Sequence, residues 1–435
     1  MPETTVHIFA REVDLSFIEV RSADWVVIKP NLVKESKETD INEWRSVITS
    51  PDLIRQVAEY VAERVAPAGR ITICDAPQTD SSFRKIAERL GLYDIAESTA
   101  KRFGVRVDVV DLRNEEWINE GGVIIERRKQ AGDPEGAIAF DLGRDSLFYG
   151  FAGEGRYYGA DYDAGVVNSH HRGDIQEYLV CATPIKADVF INLAKMKTHK
   201  KTGVTLNLKN LVGINADKNW LPHHTEGTPA TGGDEFPDER LIRKFERVAV
   251  KAARQIALRV PELGPRLAKQ MRKAGTSAFG SGQQVIRSGN WYGNDTTWRM
   301  VLDLNRCLLY GAADGSFDPA RRKRYFCLVD GRIGMDGMGP MQGDPVDAGL
   351  VVGGSDPAAV DLVTSRIMGF DWRKIPMIRE AFGLGRLPLT DARVEDIVVR
   401  SDVPEWVGRY LEIKDKQFLN FKPHFGWAGH IEYSR

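Results

Sequence analysis

Lys195, Lys197, His199, Lys200 and Lys201 fall within seven residues, and Thr202, Thr205, Lys209 and Asn210 follow directly. Ammonium groups and hydroxyls at this density suit an anion, because they neutralise its charge and donate hydrogen bonds to phosphate or carboxylate oxygens. Thr198 adds a further hydroxyl. His199 is the member that titrates near neutral pH, which makes it a candidate for proton transfer, with Lys197 as a second catalytic candidate. A solvated basic loop uses the same residue types. The flanks favour a site: residues 189–193 read as a buried strand, the basic run as the loop at its end, and the residues after Gly203 as a short helix stopped by Gly213. The N-terminus of such a helix offers unpaired N–H groups and partial positive charge. On that helix Thr205 and Lys209, four residues apart, are expected to share one face.

The first hundred residues alternate between short apolar runs and amphipathic segments, with strands at 25–28, 71–74 and 105–110 and helices at 51–65 and 82–90. Continuous apolar strands separated by amphipathic helices imply a parallel sheet covered on both faces. The expected class is α/β, with mostly parallel, Rossmann-like doubly wound sheets, helices on both faces and a helical insertion. Lys29 and Asn31 directly follow the first strand, and Asp75 the second. Ligands of open α/β sheets bind outside the carboxyl ends of the strands, so Lys29 and Asn31 join the expected anion site and Asp75 its catalytic groups. The expected organisation is an N-terminal α/β unit over 1–112 and an irregular strand and loop region over 113–186. A second α/β unit combines 187–216 with 287–400, interrupted by a helical basic insertion over 217–286, and a tail covers 401–435.

Later segments add candidates of other kinds. His170-His171 and His223-His224 are adjacent pairs, and neighbours on regular structure point in different directions, so one pair is not expected to hold one metal. Residues 239–260 and 266–273 read as basic amphipathic helices, which either cover a core or adsorb to anionic lipid. Arg299, Asp303 and Arg306 fall on one helix face, either as an internal ion network or with Arg299 as a bidentate clamp for the anion. Asp330 and Asp336 flank a glycine-rich turn, where they are ordinary turn residues or ligands of a Mg2+ ion beside a phosphate. That segment matches neither the Walker nor the dinucleotide pattern, so no nucleotide is expected. Asp361 lies in the first turns of a helix, where it either favours the dipole or faces the cleft.

At 435 residues, with 42% hydrophobic and 28% charged side chains, the chain is long enough for two cores and too apolar for disorder. A net charge of −1 argues against nucleic acid as a partner. No apolar run is long enough to span a bilayer and no secretion signal is apparent, so a cytoplasmic location is expected, with peripheral membrane contact through 239–273 as an alternative. The four cysteines are scattered without a Cys-x-x-Cys, so neither zinc nor an iron–sulfur cluster is expected.

The block from 187 to 213, ADVFINLAKMKTHKKTGVTLNLKNLVG, resembles the most characteristic block of the bacterial and archaeal domain-of-unknown-function family 362. Val27-Ile28-Lys29-Pro30-Asn31-Leu32, Cys74-Asp75-Ala76-Pro77 and the segment from Asp330 to Asp361 agree with it, so the resemblance spans nearly the whole chain. It implies a family and leaves the reaction open. Some similar proteins carry a cysteine-rich iron–sulfur segment, which this chain lacks. The layout also resembles lactate-racemase-like enzymes, in which a lysine and histidines hold a nickel-pincer cofactor; Lys197, His199 and the histidine pairs would be its candidates, by fold-level analogy. Settings of surface-glycan synthesis among relatives imply a lipid-linked phosphate as one substrate. The leading expectation is a cytoplasmic α/β enzyme that binds an anionic small-molecule or lipid-linked substrate in an inter-domain cleft. Its rival is a non-catalytic scaffold that lays basic helices on a membrane or a partner.

Overall fold

The apolar runs around Val27, Ile73 and Ile191 pair side by side at the centre of one large sheet. The computed structural model describes residues 3–35, 41–120, 123–159, 163–238, 285–320, 322–412 and 418–433. In chain order the strands of the sheet are β1 (Thr4–Phe9), β2 (Trp25–Pro30), β3 (Arg70–Asp75), β4 (Arg106–Asp111), β5 (Val189–His199) and β6 (Gly203–Thr205). They continue with β7 (Arg324–Asp336), β8 (Asp344–Val346), β9 (Leu350–Gly354), β10 (Ile397–Ser401) and β11 (Gly408–Arg409). Across the sheet the order is β11-β10-β1-β9-β7-β5-β2-β3-β4, with β6 paired to β5 and β8 to β7. Strands β7, β5, β2, β3 and β4 are mutually parallel, while β9 runs antiparallel to both β7 and β1. The fold is α/β with a mixed, mostly parallel sheet. Residues of both expected α/β units lie in this one sheet, because β2 pairs directly with β5.

Strand alternation gives the sheet two apolar faces, and each has its own core. Val26, Ile28, Ile71, Ile73, Ile191 and Leu193 face helices α1 (Ile41–Val47), α2 (Pro51–Val65), α3 (Phe83–Leu90) and α4 (Leu92–Phe103). Val27, Cys74, Phe190, Ala194 and Met196 face the other way, toward the helices Thr297–Tyr310 and Pro357–Ile367. Local sequence explains α2: the Ser50 side chain accepts the Leu53 N–H, Pro51 opens the helix, and Leu53, Ile54, Val57, Val61 and Val65 recur at the spacing that buries one face. Among the described residues no helix is long and apolar enough to cross a membrane. The basic helices expected at 239–260 and 266–273 lie outside the described residues.

Candidate functional site

The strand that carries the basic residues does not stop at Leu193. β5 runs on through His199 and every residue of it is buried, so the expected basic loop is strand up to the hairpin turn at 200–202. The chain returns as β6, with Lys197 opposite Thr205 and His199 opposite Gly203. β7 keeps pairing on the other side, with Lys195 beside Asp330 and Lys197 beside Met335. Ladders on both sides satisfy the backbone, which is what allows charged residues to continue a buried strand. The tip is held from outside: Trp427 is buried, its indole N–H donates to Lys200 O (2.9 Å), and a Cβ on Gly203, at φ +77°, would lie 3.1 Å from its ring.

Alternation then divides the expected residues between the two faces. Lys29, Asn31, Asp75 and Asn210 come together in one network. Lys29 Nζ lies 2.7 Å from Asp75 Oδ1 and donates to Asn210 Oδ1 (3.2 Å), which also accepts from Asn31 Nδ2 (2.7 Å). Asn210 passes the chain on by donating to Asn192 Oδ1 (2.6 Å), and Asp75 Oδ2 accepts the Leu32 N–H (2.9 Å). Gly213 makes room, since a Cβ there would fall 2.1 Å from Asp75 Oδ1 and 2.6 Å from Lys29 Nζ. On the opposite face Lys195 Nζ is paired with Asp330 Oδ2 (2.9 Å), which also accepts the N–H of Ser50, the cap of α2 (2.8 Å). Both networks match an ammonium to a carboxylate within the protein.

The helix after β6 also differs from expectation. It is a single turn, Asn207–Asn210, so Thr205 lies on β6 and shares no helix face with Lys209. Its N-terminal N–H groups are already occupied: Asp361 Oδ1 accepts from Asn207 N (2.8 Å) and Asn207 Nδ2 (3.0 Å), and Oδ2 accepts from Leu208 N (2.9 Å). The anion at this helix end is the protein's own carboxylate. Burial nevertheless pushes the Asp361 pKa up to about 7, against the pull of these hydrogen bonds.

Among the described residues, a group of bases at the end of β5 remains in no ion pair with a carboxylate. Lys197 Nζ donates to Val47 O (2.6 Å), and its pKa is held well below the ordinary lysine value by burial, then by Lys195 and Lys209, with Asp75 opposing. Lys209 is 8% exposed, and among the described residues its ammonium makes no hydrogen bond or ion pair. Burial, with Lys218, Lys29 and Lys200 nearby, pushes it down to about 7. His199 Nδ1 accepts the N–H groups of Lys201 (3.1 Å) and Thr202 (3.3 Å), and Thr202 Oγ1, which donates to Val204 O (2.9 Å), lies 3.0 Å from the same nitrogen. Burial, then Lys209, Lys200, Lys197 and His223, hold His199 well below the ordinary histidine value. Half-buried His223 is held low by burial and by Lys209 and Lys201. Thr205 Oγ1 is buried with no hydrogen-bond partner among the described residues. Such a group can receive an anion: it offers donors that, among the described residues, are in no ion pair with a carboxylate.

Arg299 is engaged elsewhere. It donates to Asp295 Oδ1, Asp295 Oδ2, Asp295 O and Leu147 O and lies over Phe151 and Trp298. Asp303 pairs with Arg306 instead (3.2 Å). Thr198 points away from Lys197 and donates to Gly337 O (3.1 Å) in the glycine-rich turn. Asp336 Oδ2 accepts the Lys422 N–H (2.9 Å), and its Oδ1 is buried without a partner among the described residues. Among the described residues no three His, Cys, Asp or Glu side chains are grouped to hold a metal ion. His170 lies against Glu177 and Trp220, and His171 Nε2 donates to Trp220 O (2.8 Å), so this pair serves packing. His223 and Asp361 are the residues whose roles sequence alone does not single out.

A family model described as a domain of unknown function, DUF362, matches residues 26–129 and 120–366. The chain belongs to the DUF362 family. The matched residues of this DUF362 chain include Lys29, Asp75, all of β5, Lys209 and Asp361. Among curated proteins none matches. A crystal structure of a Thermotoga maritima protein is similar at 10% identity with a TM-score of 0.31, over 74% of this chain and 48% of that one. The chain therefore spans about half the length of that protein.

Proposed function

We propose that this DUF362 protein is an enzyme acting on a phosphate- or carboxylate-bearing anion bound at the end of β5, between Lys197, His199 and Lys209. One observation carries the reading: Lys209 is buried among other bases and has no counter-charge among the described residues. A buried ammonium without a partner sheds its proton, and a bound anion reverses that by supplying the missing charge. Lys29 and Lys195, each matched by its own carboxylate, frame the site and leave the anion to Lys197 and Lys209. His199 is the group placed to move a proton, and Thr205 adds a hydroxyl donor.

Calorimetric titration of phosphate, pyrophosphate and small carboxylates tests this. Lys209→Ala is expected to weaken binding by about 1.5 to 3 kcal/mol, the range for hydrogen bonds to charged groups, without a fall in melting temperature, since the variant no longer carries an amine that folding deprotonates. At pH 8 wild-type binding is expected to take up a proton, seen as a dependence of the measured heat on the buffer, and Lys209→Ala to lose that uptake. Binding that is unchanged in both Lys209→Ala and Lys197→Met would end this reading.

A further inference from the structure

The two imidazoles at the end of β5 are held in opposite tautomers. His199 Nδ1 accepts two backbone N–H groups, from Lys201 and Thr202, so the hydrogen of the neutral ring sits on Nε2. His223 Nδ1 lies 2.9 Å from Leu221 O, which can only accept, so its hydrogen sits on Nδ1 and Nε2 presents a lone pair. Lys201 bridges the two residues, giving its N–H to the His199 ring and a side-chain N–H to the His223 backbone O (3.2 Å). Neither Nε2 has a partner among the described residues. Burial and the surrounding lysines keep a second proton off both rings, which preserves the assignment near neutral pH.

The site therefore offers several donors, from Lys197, Lys209, His199 Nε2–H and Thr205 Oγ1–H, and one acceptor that stays an acceptor, His223 Nε2. We propose that the anion taken by this site carries its own O–H, as a singly protonated phosphate or a hydroxy acid does, in preference to the same anion without that hydrogen. This rests on the anion site proposed above. An oxyanion with no hydrogen would turn a lone pair toward the His223 lone pair, leaving the ring unpaired, whereas an O–H closes the last hydrogen bond.

The experiment pairs anions with and without an O–H group: phosphate, mainly H2PO4− at pH 6, against sulfate, and glycolate against acetate, titrated at pH 6 into the full chain by calorimetry. We expect the O–H-bearing member of at least one pair to bind about tenfold tighter or more. Preference within the first pair only identifies phosphate as the chemistry, and within the second only a hydroxy acid. His223→Phe should bring the ratio to about one, and His223→Gln, which keeps an acceptor oxygen, should retain part of it. Equal binding within both pairs, or a preference that survives in His223→Phe, overturns the inference while leaving the anion site standing. Failure of all four to bind wild type overturns both. Nitrogen-15 NMR of histidine-labelled wild type reads the tautomers without any variant, and hydrogen on His199 Nδ1 or His223 Nε2 overturns the inference as well.

Discussion

Lys209 links the chemistry of the site to the stability of the fold, because no carboxylate among the described residues pairs with it. Between pH 7 and 10.5 the folded chain holds this amine neutral, whereas the unfolded chain, with the ordinary value of 10.5, protonates it. Unfolding therefore takes up a proton across that window, and stability rises with pH there by up to about 1.4 kcal/mol per unit. Below about pH 7 both states carry the proton and the contribution becomes constant. Lys201, pushed down to about 7 mainly by burial, acts in the same direction. Urea denaturation at pH 7, 8 and 9 should show this rise in wild type and a slope smaller by about one proton in Lys209→Met. An identical slope in the variant would mean that Lys209 is charged in the folded protein.

Asp361 does its work on an element far from its own in sequence. It sits on the helix Pro357–Ile367 and fills the N-terminal donors of the turn Asn207–Asn210, which carries Lys209. Asp361→Ala leaves three buried donors unmet, so a loss of about 2 to 4 kcal/mol in urea denaturation is expected, with anion affinity falling because Lys209 loses its support. Asp361→Asn keeps an acceptor oxygen and should lose less. No local pattern announces this contact, since capping by a side chain 154 positions away is a property of the tertiary fold. α2 is the opposite case: Ser50, Pro51 and the apolar spacing lie within the helix and its flank, and its limits, Pro51–Val65, can be read directly. Lys29, Asn31 and Asp75 are likewise readable as neighbours because each lies at the carboxyl end of an apolar strand of a parallel sheet. β5 falls between the two cases. Lys195, Lys197 and His199 recur at a spacing of two, the period of a strand, yet their charge suggests water when hydropathy alone is weighed. Only the flanking ladders and the cover from Trp427 make burial there tolerable.

Assembly of the whole molecule depends on its distant ends meeting. β1 is flanked by β9 and β10, and Trp427 closes over the hairpin turn of the candidate site. Removing residues 392–435 would strip β1 of one neighbour and expose both a strand edge and the apolar surface beneath Trp427. The expected result is a chain that self-associates, measured as loss of the monomer peak in light-scattering chromatography relative to full length; a well-behaved monomer would show that the tail is dispensable. The same pairing has a consequence for synthesis. Thr4–Phe9 leaves the ribosome ahead of the other strands of the sheet, but its nearer partner in sequence begins at Leu350, 341 residues after Phe9. At roughly 5 to 20 residues per second the first strand waits on the order of tens of seconds with both edges open, while β2, β3 and β4 already have one another. A nascent chain of this design presents chaperones with that unpaired strand, and the candidate site cannot close until Trp427 has been delivered.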